Sequence, residues 1–204
     1  MKVLIGIGSI LLLLVLVGIG VVSYTINKNN ELVDLRETAR ANLGLVGSAL
    51  QRRADLLPNV AKVVAKYAKH EKETFVETAQ ARASAAGGIK LTPELLADPK
   101  AMAQFQKVQG DITSFFSRLM VVQEQYPELK ADRLFIDLQA QVEGTENRIK
   151  VERDGYTKSA QKYNTAILKF PASLVANYRG FKELPYFQED EGAKKAPDLG
   201  NSLQ

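Results

Sequence analysis

The chain has 204 residues, enough for one domain with a hydrophobic core beside a membrane segment. Its 27 basic and 23 acidic residues leave a net charge of +4, with the two signs mixed along the chain; Arg52-Arg53 and Lys194-Lys195 are too small to make a nucleic-acid patch. The lack of cysteine excludes disulfides, thiolate metal sites and cysteine nucleophiles, and the single histidine, His70, excludes a multi-histidine metal centre within one chain.

From Val3 to Val22 every residue is apolar or glycine except Ser9, and the next charge is Lys28. Twenty helical residues span roughly 30 Å, the thickness of a hydrocarbon core. Signal-peptide cores are shorter, at about 7–15 residues, and end in an A-x-A-like site that is missing here. The expectation is therefore a retained anchor over residues 1–23 rather than a cleaved signal. Gly6, Gly8, Gly18 and Gly20 in this run, with Gly44 and Gly47 beyond it, are candidate positions for close packing against a second copy. The alternative is that glycine is simply frequent in membrane helices. Lys2 and the amino terminus, set against Lys28, Arg36 and Arg40, lean weakly towards a cytoplasmic domain.

The remainder reads as all-helical. Leu32, Leu35, Ala39, Leu43, Val46 and Leu50 recur at three- and four-residue spacing, so the anchor is expected to continue as one helix of about 50 residues. Asp55-Leu-Leu-Pro58 looks like a junction, with Asp55 as a cap and Pro58 in a new first turn. A second helix is expected from about Leu56 to Ala86, with Val60, Val64, Tyr67, Phe75 and Ala79 on its apolar face and Glu71 among them. Gly87-Gly88 ends it, and 89–97 reads as a polar linker containing Thr92-Pro93. Asp98-Pro99 caps and opens a third helix, which carries Met102, Phe105, Val108, Ile112, Leu119 and Val122 to a turn at Pro127. In the fourth helix, Phe135, Val142, Ile149, Tyr156, Tyr163 and Phe170 repeat every seven residues, the mark of a supercoiled, coiled-coil-like contact. Pro171 stops it. The fold class expected is all-α: a transmembrane helix continuous with an elongated antiparallel four-helix bundle over 24–187. Leu174, Val175, Tyr178 and Phe181 mark a short amphipathic helix broken by Gly180 and Pro185, and 188–204 reads as a disordered tail.

Candidate chemistry is sparse. His70-Glu71 fails as a zinc motif, because H-E-x-x-H needs a second histidine where Thr74 stands. Glu71 on an apolar face must be paired or neutralised. Its candidate partners belong to a polar set of Arg52, Arg53, Asp55, Glu71, Glu143, Glu146, Arg148 and Arg153. One reading is an interhelical ion-pair layer that sets register. The other is a charged groove for a peptide or small anionic ligand. Glu-x-x-His pairs for a di-metal centre are missing, as are nucleotide-binding glycine motifs, so no catalytic residue, metal or cofactor is expected. Tyr67, Tyr126, Tyr156 and Tyr163 read as core residues with hydroxyls at the bundle edge.

Several motifs in order are similar to the LemA family of bacterial membrane proteins. They are Arg52-Arg53-Ala-Asp55-Leu-Leu-Pro58-Asn59, Tyr67-Ala-Lys-His70-Glu71, Tyr126-Pro127-Glu-Leu-Lys130-Ala, Glu143-Gly-Thr-Glu146-Asn-Arg-Ile149, Tyr163-Asn164 and Phe170-Pro171. The resemblance covers roughly 32–187. Two departures are Tyr156-Thr157, where the family has Tyr-Asn, and Val60-Ala61 after Pro58-Asn59. The resemblance implies a membrane-anchored, elongated helical bundle with no established catalytic activity. A magnetosome-associated branch implies a role in membrane organisation. Relatives with a lipoprotein signal imply an extracytoplasmic domain, which we expect here over the charge lean. The expectation is thus a single-pass protein of the bacterial inner membrane whose partners are the bilayer, copies of itself and another membrane protein, and not nucleic acid. A self-associating scaffold is the leading function. A membrane-tethered binding or sensory module is the alternative, and a hydrolase using Glu71 and His70 ranks below both.

Overall fold

A computed structural model describes residues 2–68 and 72–187, with side chains from Ile10 onward except those of residues 72 and 73. Among the described residues seven helices follow in order: α1 Lys2–Tyr67, α2 Lys72–Gly87, α3 Pro93–Ala97, α4 Pro99–Gln125, α5 Pro127–Lys130, α6 Arg133–Leu168 and α7 Ala172–Arg179. Among the described residues there is no strand. His70, Glu71 and the expected disordered tail lie outside the described residues.

The 66 residues of α1 make a rod of about 100 Å. From Ile10 it carries one stretch long and apolar enough to cross a membrane, and none of that stretch is buried. Burial begins at Leu32 and then follows the expected face through Ala39, Leu43, Val46 and Leu50.

The junction expected at Asp55-Leu-Leu-Pro58 is not a break. α1 runs through Pro58, and the chain leaves it only after Tyr67. A proline inside a helix costs about 3 kcal/mol through a lost hydrogen bond and a ring clash. Leu56, Leu57, Val60, Ala61, Val63 and Val64 on either side are all at most 6% exposed. At about 1.5–3 kcal/mol for each fully buried large apolar side chain, that burial outweighs the proline. Asp55 is accordingly not a cap: its carboxylate accepts from Gln51 Nε2 (2.8 Å) one turn earlier, and Asn59 Nδ2 donates to its carbonyl.

Other boundaries follow the sequence more closely. Asp98 caps α4, its Oδ1 accepting from the amides of Lys100 and Ala101. The linker 89–97 holds a short helix of its own, α3, because the Thr92 hydroxyl accepts from the Leu95 amide. Asp132 caps α6 in the same way through the amides of Leu134 and Phe135. Gly180 adopts φ +70°, the left-handed turn that lets the Phe181 amide reach the Ala176 carbonyl and close α7.

α1 is the spine. α6 lies along it antiparallel, fixed by Tyr67–Asp132, Arg53–Glu146 and Asn42–Gly155. α2 turns back along the upper part of α1, and α4 packs on α2. The heptad residues Phe135, Val142, Ile149, Tyr156 and Tyr163 are buried as expected. Phe170 is not, at 80% exposed: α6 ends at Leu168 and the chain bends at a cis Phe170–Pro171 peptide. The apolar interior forms two clusters. The upper one gathers Leu57, Val64, Ile112, Phe115, Phe135 and Val142, and the lower one gathers Leu32, Val46, Phe105, Ile149, Tyr156 and Tyr163.

Candidate functional site

Between the two clusters sits a polar layer. Arg53 lies on the buried face of α1 and is only 5% exposed. A guanidinium there must be paired, because a lone buried charge is prohibitively costly. Its Nη1 donates to both oxygens of Glu146 on α6, at 2.9 and 3.1 Å, and its Nη2 donates to Oε1 of Gln109 on α4. Three helices are thereby joined at one level. Glu146 keeps one side in water, with a side chain 44% exposed. Arg53 Nε has no hydrogen-bond partner among the described residues. Elsewhere the Arg53 side chain borders a cleft of about 350 Å³ lined also by Gln106, Gln109, Glu146, Arg153 and Phe187.

The expected polar set therefore divides. Arg53 and Glu146 meet directly, and Arg153 stands nearby with its guanidinium 5.0 Å from the centre of the Phe187 ring. Arg52 and Asp55 are exposed and face a different groove, beside Gly87 and Leu91. Glu143 and Arg148 point outward from α6, Glu143 accepting from Gln139 and Arg148 pairing with Glu152. Gln109 was not anticipated. A polar residue in the Phe105–Ile112 stripe of α4 was the available signal, since a core-facing amide needs a partner.

A second group of buried polar side chains grips the segment 181–187, which runs back along α6 as an extended strap. Asn164, 4% exposed, donates from Nδ2 to the Leu184 carbonyl and accepts from the Leu184 amide, both at 2.8 Å. The hydroxyl of Tyr163 donates to the Lys182 carbonyl at 3.0 Å, and that of Tyr156 to the Pro185 carbonyl at 2.6 Å. Phe181 and Phe187 stack edge-on against Tyr163 and Tyr156. Burial pushes the Tyr156 phenol up to about 12, with Tyr186 adding to it, and raises Tyr163 against the opposing effect of Arg36 and Arg40. At the far end, the Tyr67 hydroxyl donates to Asp132 Oδ2 at 2.6 Å. That bond and the Phe135 and Leu134 amides hold the Asp132 carboxyl below the ordinary range, while the carboxylate raises Tyr67.

Of the glycines, Gly18, Gly20 and Gly44 have open space where a Cβ would stand. Gly47 faces Leu91 of the same chain at 3.9 Å, so its surface is partly taken up internally. Gly6 and Gly8 lie in the part of α1 whose side chains are not described.

Together these features define a class: a helical protein with one candidate membrane span that passes without a break into a domain tied by a buried polar layer and a strap. The chain belongs to the LemA family, whose model matches residues 42–200. It is similar to magnetosome protein MamQ of Magnetospirillum gryphiswaldense, 28% identical over 175 residues covering 78% of this chain, and spans 64% of that relative's length. Magnetosome protein MamQ 2 of Paramagnetospirillum magneticum is 28% identical over 202 residues, covering 90% of this chain and 74% of its own. Protein LemA of Metamycoplasma hominis is 24% identical over 182 residues, covering 89% and 78%.

Proposed function

We propose that this chain is a non-catalytic, single-pass protein of the bacterial inner membrane that organises the membrane surface by self-association. In this reading its helices form an elongated antiparallel four-helix bundle outside the cytoplasm. The observation that carries it is the continuity of α1: one helix is both the apolar run and the spine of the folded domain. A domain joined in this way is held at a fixed height and tilt over the bilayer, as a building block of an array requires. The open surface at Gly18 and Gly20 lets two spans approach closely. The similarity to proteins named for the magnetosome supports a role at a membrane-bounded structure.

The test is the assembly state of the full chain in nanodiscs, imaged beside a chain lacking residues 1–23. A defined ring, cage or filament from the full chain, weakened by Gly18→Leu and Gly20→Leu, is the expected result. Monomers at every concentration refute it.

A second reading rests on the cleft beside Arg53. Two arginines, Arg53 and Arg153, lining one space of about 350 Å³ suit a carboxylate or another small anion. It makes the protein a tethered binding module and is compatible with self-association. Calorimetric titration with short acidic peptides against wild type and Arg153→Gln tests it; no heat in either refutes it.

A further inference from the structure

The bend between α6 and α7 places apolar side chains where a solvent-facing domain has little use for them. Leu168 and Leu174 are each 63% exposed, Phe170 is 80% exposed and Tyr178 is 86% exposed. Scattered surface apolars are ordinary, but these four are adjacent along one bend of the chain. Their position along α1 is what makes them informative. Pro171, Leu174 and Tyr178 share a groove of about 480 Å³ with Val21, Tyr24 and Thr25 of α1. Arg179 Nε donates to Asn29 Oδ1 at 2.9 Å and fixes the other end of α7. The bend therefore lies level with the last turn of the apolar run, which ends at Val22, and with the turn that follows it.

Charge points the same way. From Lys158 to Lys182 the chain carries Lys158, Lys162, Lys169, Arg179 and Lys182 and no acidic residue. Lys158, Lys162 and Lys169 border a second groove that also contains Tyr24, Phe170 and the Lys28–Glu31 ion pair, so its cations free of an ion pair among the described residues are these three lysines. Tyrosine, phenylalanine and lysine side chains gathered at one level are the composition of a membrane interface.

We propose that the α6–α7 bend is a second membrane contact: Phe170, Leu174 and Tyr178 rest in the interfacial zone of the bilayer that α1 crosses, and the basic side chains around them bind anionic phospholipid headgroups. This rests on the reading of α1 as a membrane span. The buried face of α7, Val175 and Ala176, docks on the protein, and its exposed face docks on lipid. The strap then returns from the membrane to the middle of α6, so the bend is pinned on both sides.

The chain has no tryptophan, so single tryptophans report their own depth. Full-length Phe170→Trp, Tyr178→Trp, Leu14→Trp and Val151→Trp variants are reconstituted in vesicles of phosphatidylcholine and phosphatidylglycerol containing lipids brominated either near the headgroup or near the chain end. Leu14→Trp reports the centre of the span, and Val151→Trp an exposed site halfway along α6. Phe170→Trp and Tyr178→Trp are expected to lose fluorescence to the shallow bromines and keep it with the deep ones, Leu14→Trp to lose it to the deep ones, and Val151→Trp to lose it to neither. Replacing phosphatidylglycerol with phosphatidylcholine is expected to weaken quenching at residues 170 and 178 only; unchanged quenching overturns the headgroup part. If Leu14→Trp is quenched while residues 170 and 178 behave like 151, the membrane contact is wrong and the anchor stands. If Leu14→Trp is not quenched either, both readings fall.

Discussion

Arg53→Met is the most direct probe of the polar layer. The replacement keeps the length and apolar stem of the side chain and removes the guanidinium. Glu146 loses a partner but is 44% exposed and rehydrates, so its share of the loss is small. Gln109 is 9% exposed and sits among Phe105, Ile112 and Arg53; its Oε1 then has no donor. An unsatisfied buried amide costs about 1–3 kcal/mol, which sets the expected loss. Arg53→Met combined with Gln109→Leu removes the orphan and is expected to recover most of that loss, because an apolar replacement of a buried polar pair is often neutral. The assay is urea unfolding of the full chain in non-ionic detergent, followed by helical circular dichroism, as a double-mutant cycle. If Arg53→Met is as stable as wild type, or if the two substitutions simply add, Gln109 does not depend on Arg53 and the layer does not tie α1 to α4.

Asn164→Leu removes both bonds to Leu184 and strands two buried backbone groups, a loss of about 2–4 kcal/mol in strap attachment; hydrogen exchange at the Leu184 amide is expected to accelerate accordingly, and an unchanged rate counts against the strap. Tyr156 is held neutral by burial, so its contribution to stability is complete below the ordinary phenol value near 10 and is lost as pH rises towards about 12. Tyrosinate absorbance during alkaline titration is expected to show a late component that vanishes in Tyr156→Phe. Asp132 is depressed first by the Tyr67 hydroxyl, so its contribution is present above the ordinary carboxylate range and is lost as pH falls through the lowered value. In Tyr67→Phe the Asp132 carboxyl is expected to titrate closer to the ordinary range by carbon-detected NMR, and no movement refutes the assigned cause.

Much of the helical framework was legible because burial is periodic. The α1 stripe and five heptad residues of α6 are buried where their spacing puts them, and Asp98-Pro99 opens a helix as written. The reversal after Tyr67 was not legible, since no glycine or proline marks it, while Pro58, the obvious local signal, is overridden by the flanking leucines and valines. A heptad count carries Phe170 into the seam, but the turn before Pro171 lifts it out, because a residue preceding proline is disfavoured in helical geometry. Of the candidate site, Arg53 and Glu146 both stood in the expected polar set, but nothing in their spacing singled out the pairing from the other six members. Gln109 and the Asn164 strap depend on contacts between segments distant along the chain, and such pairings leave no trace in local spacing.

The unbroken α1 also fixes an azimuth. With each residue contributing about 100° of rotation and about 1.5 Å of rise, whichever face of the span is turned towards a neighbour determines the compass direction in which the domain points, some tens of ångströms away. One extra residue between Ser23 and Glu31 would swing the whole domain by about 100° while hardly changing its height, whereas seven would return it to within about 20° of its starting bearing roughly 10 Å further out. In the array proposed above, neighbouring molecules would thus share a common heading as well as a common elevation, set by the count of residues in α1 between the apolar run and the buried stripe.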